Sequence, residues 1–154
     1  MQWYSLADTH EYKNIGLPME MRAQEIIRNA MNVDIIETCN NADYDFKDSN
    51  NTTYEVKADT RSHATGNFFI TYGQKTLAYA EMQPAGISKS KADYYMMTYG
   101  NSFYKIRTDV IRFLAFSKEY QKRTYTNKRN ELIQGILVKV SDMKPYATVY
   151  DFTD

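Results

Sequence analysis

Residues 44–59 read Tyr-Asp-Phe-Lys-Asp-Ser-Asn-Asn-Thr-Thr-Tyr-Glu-Val-Lys-Ala-Asp, and the fold assignment turns on this stretch. Asp48-Ser49-Asn50-Asn51 is a cluster of turn formers between two segments of alternating character, Ala42–Lys47 and Thr53–Ala58, so a β-hairpin is predicted. Alternate strand residues share a face, which sets Glu55 and Lys57 together and sends Tyr54 and Val56 into the opposite layer. Asp45 stands in the same relation to Tyr44 and Phe46, and folding over the turn brings it beside Glu55. Two carboxylates and one ammonium then meet on one patch. Such a patch suits Mg²⁺, which takes a few carboxylate oxygens and keeps waters, with the Val56 carbonyl as a further oxygen. Lys57 would stabilise charge on a pentavalent phosphorus and favour the ionised form of an attacking water. An ordinary Glu/Lys pair on an exposed strand has the same E-x-K spacing, and Asp43 shares a face with Asp45 as a competing ligand.

On the N-terminal side, Ala23, Ile26, Ile27, Ala30 and Met31 recur at three and four residues, with Pro18 in the first turn, which predicts a helix from Leu17 to Met31. Val33–Thr38 reads as a short strand. Beyond the hairpin, Asn67–Tyr72, Asp93–Tyr99, Phe103–Arg107 and Ile136–Val140 read as strands, and the region from Gln74 to Ala80 is ambiguous. Ser88 is expected to cap one helical turn, and Thr108 a helix from Asp109 to about Tyr120 with Val110, Ile111, Leu114 and Ala115 as its apolar stripe. The order implies an α/β (α+β) domain with a single mixed, largely antiparallel sheet flanked by helices.

Composition narrows the function classes. With 154 residues, 43% hydrophobic and 25% charged, one domain over 1–154 with its own core is expected and wholesale disorder is excluded. No apolar run reaches 18 residues, and MQWYSLADTHEYKN lacks the basic and apolar regions of an export signal, so a cytoplasmic protein without membrane contact is expected. Cys39, His10 and His63 are too few for a Cys/His zinc site, which leaves oxygen ligands for any metal. Net charge is zero but uneven: residues 1–50 carry nine acids against four bases, residues 101–154 six against ten. Between 105 and 129 lie eight bases (Lys105, Arg107, Arg112, Lys118, Lys122, Arg123, Lys128, Arg129) and two acids. This segment reads either as a polyanion track or as a solvated helix face followed by a basic loop.

Asp45-Phe46, then Tyr54-Glu55-Val56-Lys57-Ala58-Asp59, the TGNFFI block at 65–70 and PAGISKSKADYY at 84–95 together resemble small phage and prokaryotic members of the PD-(D/E)XK nuclease superfamily, which includes Holliday-junction resolvases and many restriction enzymes. The resemblance covers roughly residues 16–116. It implies a restriction-endonuclease-like core, metal binding by Asp45 and Glu55, and catalysis by Lys57. It further implies an endonuclease that hydrolyses DNA with Mg²⁺, or with Mn²⁺ in its place, and acts in a host cytoplasm where phage-encoded. Members often carry a glutamate on the first helix; Glu20, three residues before Ala23 and seven before Ile27, is the candidate, whereas Glu25 has polar neighbours. No proline precedes Asp45, and Ile70 is followed by Thr71 where relatives often have an acid.

Ser88, Lys89, Ser90 and Lys91, read as the start of a short helix, are candidates for holding phosphate, with an N-cap and solvated lysines as the plain alternative. Arg61, Lys122, Arg123, Lys128 and Arg129 are the remaining candidates for nucleic-acid contact. One domain leaves specificity to loops, DNA shape or a homodimer, so a structure-selective or weakly sequence-selective enzyme is expected. The rivals are an exonuclease of the same fold and a non-catalytic nucleic-acid-binding module.

Overall fold

A computed structural model describes residues 16–38, 43–76 and 81–152. Cys39, His10, Ala42 and the N-terminal stretch read for a leader lie outside these residues. Helix α1 (Leu17–Met31) has Pro18 in its first turn, and Asn32, in the left-handed region at φ 51°, closes its end by donating its N–H to the Arg28 carbonyl. Ala23 and Ile27, four apart, are its fully buried residues.

The hairpin is present. Strands β2 (Phe46–Asp48) and β3 (Thr53–Lys57) pair antiparallel, with Phe46 opposite Tyr54. Asp48 makes the turn: one carboxylate oxygen accepts from the N–H groups of Asn50 (2.8 Å) and Thr52 (3.1 Å), and the other from the Tyr54 hydroxyl (2.8 Å). Asn51 takes φ 64°, a conformation that asparagine tolerates.

Strand β1 (Ile35–Thr38) extends the sheet beside β2. On the other side of β3 come β6 (Tyr94–Tyr99), β7 (Ser102–Arg107) and β10 (Thr148–Asp151), giving the order β1-β2-β3-β6-β7-β10. Only the β3–β6 pair is parallel. The expectation of a single sheet is corrected here, because β4 (Asn67–Lys75), β5 (Gln83–Pro84), β8 (Lys122–Thr126) and β9 (Leu132–Lys139) form a second antiparallel sheet in the order β5-β4-β9-β8. The chain is thus α+β, with two sheets.

Two apolar cores give three layers. On one face of the six-stranded sheet, Ala23 and Ile27 of α1 pack on Phe46, Tyr54, Val56, Met96 and Phe103. On the other face, Tyr95, Met97, Tyr104 and Ile106 meet Phe68, Ile70, Ile136 and Val138 of the second sheet, together with Ile111, Leu114 and Ala115 of α3 (Thr108–Ser117). A short helix α2 (Ser62–Thr65) precedes β4, and α4 (Val140–Met143) follows β9. No helix among the described residues is long and apolar enough to cross a membrane.

Other local expectations change as well. Ser88 does not cap a helical turn: it is the last residue of a 3-10 turn, Gly86–Ser88, so no helix begins at Ser88–Lys91. Thr108 is the first residue of α3 and makes no capping bond, and α3 ends at Ser117. The segment read as a basic loop contains the exposed edge strand β8.

Gly86 fixes the 3-10 turn to β4. At φ +53°, a Cβ on it would lie 2.3 Å from the Thr71 carbonyl oxygen, whereas one on Gly66 (φ +74°) meets nothing within 4 Å. Gly66→Ala should therefore cost only the conformational term, roughly 1–2 kcal/mol. Gly86→Ala adds a clash with backbone and should destabilise clearly more. Urea titrations of the two variants test the order, and equal losses would contradict the packing described.

Candidate active site

The candidate site begins just before β2 starts, at Asp45. Residue 45 donates its N–H to the Tyr54 carbonyl at 2.8 Å, and its carboxylate then accepts the Val56 N–H at 2.7 Å, in place of a further strand carbonyl. The Val56 carbonyl leaves the same edge of β3 as its N–H and is directed to the same side. Asp45, not Asp43, makes this bond.

Glu55 and Lys57 share the face of β3 opposite Tyr54 and Val56, as alternation requires. Their side chains are 5% and 12% exposed, and Lys57 Nζ lies 3.3 Å from Glu55 Oε2. Glu20, in the first turn of α1, is within the electrostatic reach of both. Elements far apart in sequence thus place three carboxyls and one ammonium around one buried patch.

Burial dominates the electrostatics, and the excess of acids adds to it. The Glu20 carboxyl is pushed up to about 7, first by burial, then by the charge of Glu55, with Lys57 opposing. Asp45 is pushed up to about 8, again first by burial, then by Glu55 and Glu20; Lys57 and the Val56 N–H pull the other way. Lys57 is lowered by burial and supported by Glu55 and Asp45. One ammonium does not neutralise three carboxylates, so the metal-free patch retains protons.

Among the described residues no group of three or more His, Cys, Asp or Glu side chains is placed to hold a metal ion, so any cation here would depend on two carboxylates, a carbonyl and water. The donors suit a hard cation that keeps part of its water shell: carboxylates of Asp45 and Glu55, with the Val56 carbonyl directed to the same side.

The remaining candidates are dispersed. Ser88, Lys89 and Lys91 are exposed on the loop before β6, while Ser90 is buried and accepts the Ala92 N–H at 3.3 Å. Arg61 is exposed ahead of α2, and His63 packs against Tyr99 with ring centroids 5.2 Å apart. Asp59, the last residue of the Tyr54–Asp59 block, accepts the N–H groups of Phe69 and Arg61, both at 3.1 Å, and burial raises its carboxyl. It ties the end of β3 to β4.

The eight bases of 105–129 do not form one surface. Lys105 is buried, its Nζ over the rings of Tyr94 (4.9 Å) and Tyr150 (5.6 Å). Arg112 holds the carbonyls of Ile87 and Ser90, Arg107 pairs with Asp109, and Lys118 lies 3.7 Å from Asp142. Lys122 and Arg123 are exposed on β8, Lys128 and Arg129 on the turn to β9. The parallel ladder sets Tyr95 of β6 opposite Glu55. Alternation puts it on the Met97 face, but no local signal gives its strand partner.

Compared with known proteins, the chain matches no family model, no curated protein and no solved structure.

The carboxyl shifts fix the sign of a pH effect. Glu20 and Asp45 move from ordinary values of 4.5 and 3.8 to about 7 and about 8, so across that window the folded state holds protons that the unfolded chain has released. This stability is fully present below the ordinary values and is lost as pH rises through the folded ones. In EDTA the melting temperature should fall from about pH 5 to about pH 9, and Asp45→Asn should flatten the decline. A flat wild-type profile would contradict the clustering.

Proposed function

We propose that this chain is a Mg²⁺-dependent deoxyribonuclease that cuts DNA internally, with Mn²⁺ able to replace Mg²⁺. The observation that carries this reading is the convergence of Asp45, Glu55 and Lys57, with Glu20 beside them, in the pattern of the nuclease superfamily that the sequence resembles. Asp45 and Glu55, with the Val56 carbonyl, would hold the cation. When bound, it supplies positive charge to the phosphate oxygens and lowers the pKa of water.

The chain's own residues do the rest. The Lys57 ammonium, held against Glu55, faces charge developing on phosphorus and favours a hydroxide nucleophile. Glu20, raised to about 7 and electrostatically coupled to Glu55 and Lys57, would serve as a proton exchanger at neutral pH. Arg61, Lys89, Lys91 and the bases of β8 and its turn are exposed and would meet phosphates outside the scissile one.

Cleavage should require Mg²⁺ or Mn²⁺, and Asp45→Ala or Glu55→Ala should abolish it while the fold persists. Lys57→Ala should bind DNA nearly as wild type but lose roughly 10²–10³-fold in kcat. Assays on circular and linear duplex, flap and four-way-junction DNA check this. Full activity in EDTA overturns the reading; cutting only from ends indicates the exonuclease, and binding without cutting a non-catalytic module.

Neutralising Lys122, Arg123, Lys128 and Arg129 together should weaken DNA binding irrespective of sequence. It should also flatten the dependence of log K on log salt by about 0.9 for each lost duplex phosphate contact. Superimposable salt titrations would place the DNA track elsewhere.

A further inference from the structure

The second sheet has one face in the core and one outside it. Phe68, Ile70, Ile136 and Val138 lie in the core between the sheets, so their alternate neighbours on β4 and β9 face outward. Phe69, on β4, is half-buried on that outward face. Directly paired antiparallel residues share a face, so Arg123 and Tyr125 of β8, opposite Gly135 and Ile133, project to the same side. Strand β8 is exposed along its whole length, and Tyr125 is 50% exposed.

Gly135 gives this face its shape. A Cβ on it would run into the tip of the Phe69 ring, so the absent side chain lets that ring lie across β9. Tyr125 comes from the far side, and the two rings meet edge to face with centroids 5.5 Å apart. Two aromatics from non-adjacent strands thereby form one ledge over the glycine. Sheltering a glycine accounts for Phe69 alone. It does not account for a half-exposed tyrosine set among cations.

Residues 122–129 carry four bases, Lys122, Arg123, Lys128 and Arg129, and no acid. Arg123 stands two residues from Tyr125 on the same face, and Lys128 and Arg129 are exposed on the adjoining turn. An exposed aromatic ledge bordered by charges of one sign matches a polyanion that carries planar rings of its own. A duplex keeps its base faces stacked inside, whereas a single strand offers them.

We propose that the outward face of the second sheet binds single-stranded DNA, with bases stacking on Tyr125 and Phe69 while Arg123 and the bases of the β8–β9 turn meet the phosphates. This surface needs no metal. It shares with the nuclease reading only the assignment of the β8 bases to phosphate.

The test is fluorescence anisotropy in EDTA with the full chain, a labelled oligothymidylate, and an abasic oligomer of the same length as the phosphate-only control. The wild type should bind the thymidylate more tightly than the abasic strand. Tyr125→Leu should weaken thymidylate binding about 5–100-fold, leave abasic binding unchanged and keep the salt slope, because stacking releases no counterions. Phe69→Leu should act in the same way, and Tyr125→Phe, which keeps the ring, should bind like the wild type. Arg123→Gln should weaken binding of both oligomers and flatten the salt slope by about 0.7 for each lost phosphate contact.

Equal affinity of the wild type for the two oligomers overturns the proposal, and this arm decides even if Tyr125→Leu fails to fold. Unchanged thymidylate binding in Tyr125→Leu also overturns it, as does an equal loss on both oligomers, which marks a structural role. Base-dependent binding in a protein that cuts no DNA with Mg²⁺ keeps this surface and overturns the nuclease reading. Cutting by a protein that does not distinguish the two oligomers does the reverse.

Discussion

A strand buried on both faces that carries two ionisable side chains on one of them is the constraint from which the rest follows. Tyr54 and Val56 of β3 are sealed by α1, while Glu55 and Lys57 lie under the opposite layer. Unpaired, either charge would cost several kcal/mol in such a place. Their mutual contact offsets part of that cost and also fixes both side chains. Asp45 adds the second element, since its carboxylate takes the Val56 N–H at the point where strand pairing ends. Ending the β2–β3 ladder there and opening a polar patch are therefore one event.

What could be seen in the sequence was local. The hairpin was legible because turn formers and alternation act over a few residues, and Asp48 and Asn51 make the turn as their chemistry suggests. The inward lean of Glu20 followed from its spacing to Ala23 and Ile27, both of which are buried. Meeting of Asp45 with Glu55 needed only the hairpin. Choosing Asp45 over Asp43 needed the register, because both lie on one face of an ideal strand and only hydrogen bonding separates them.

The illegible parts depend on pairing between distant segments. The second sheet joins β4 to β9, more than fifty positions apart in register, and neither NFFITYGQK nor LIQGILVK announces its partner. Strand β8 is polar on both faces because it is an exposed edge, so no alternation marks it. Counting charges along 105–129 also failed to foretell a surface, since Lys105 turns into an aromatic box and Arg112 spends its donors on carbonyls. Charge density in a sequence window is not charge density in space. The pairing of Tyr95 with Glu55 is illegible for the same reason as β4–β9, since it depends on the parallel partner.

The patch carries one ammonium against three carboxyls in a place where water compensates poorly. Three remedies exist for the surplus: protons, a cation, or loss of the acids by evolution toward apolar residues. Apolar replacement would be the route to greater stability, because buried ion sets are often improved by well-packed hydrophobic groups. In this chain the acids are present and held in place, Asp45 by the Val56 N–H and Glu55 by the Lys57 ammonium. Protons are the remedy that burial itself favours, since the carboxyls of Glu20 and Asp45 are raised to about 7 and about 8. Under the proposed metal-dependent reading, a cation would displace those protons, and binding and proton release would become one equilibrium. Local stability given up for a poised polar cluster is the pattern expected of functional sites rather than of structural ion pairs.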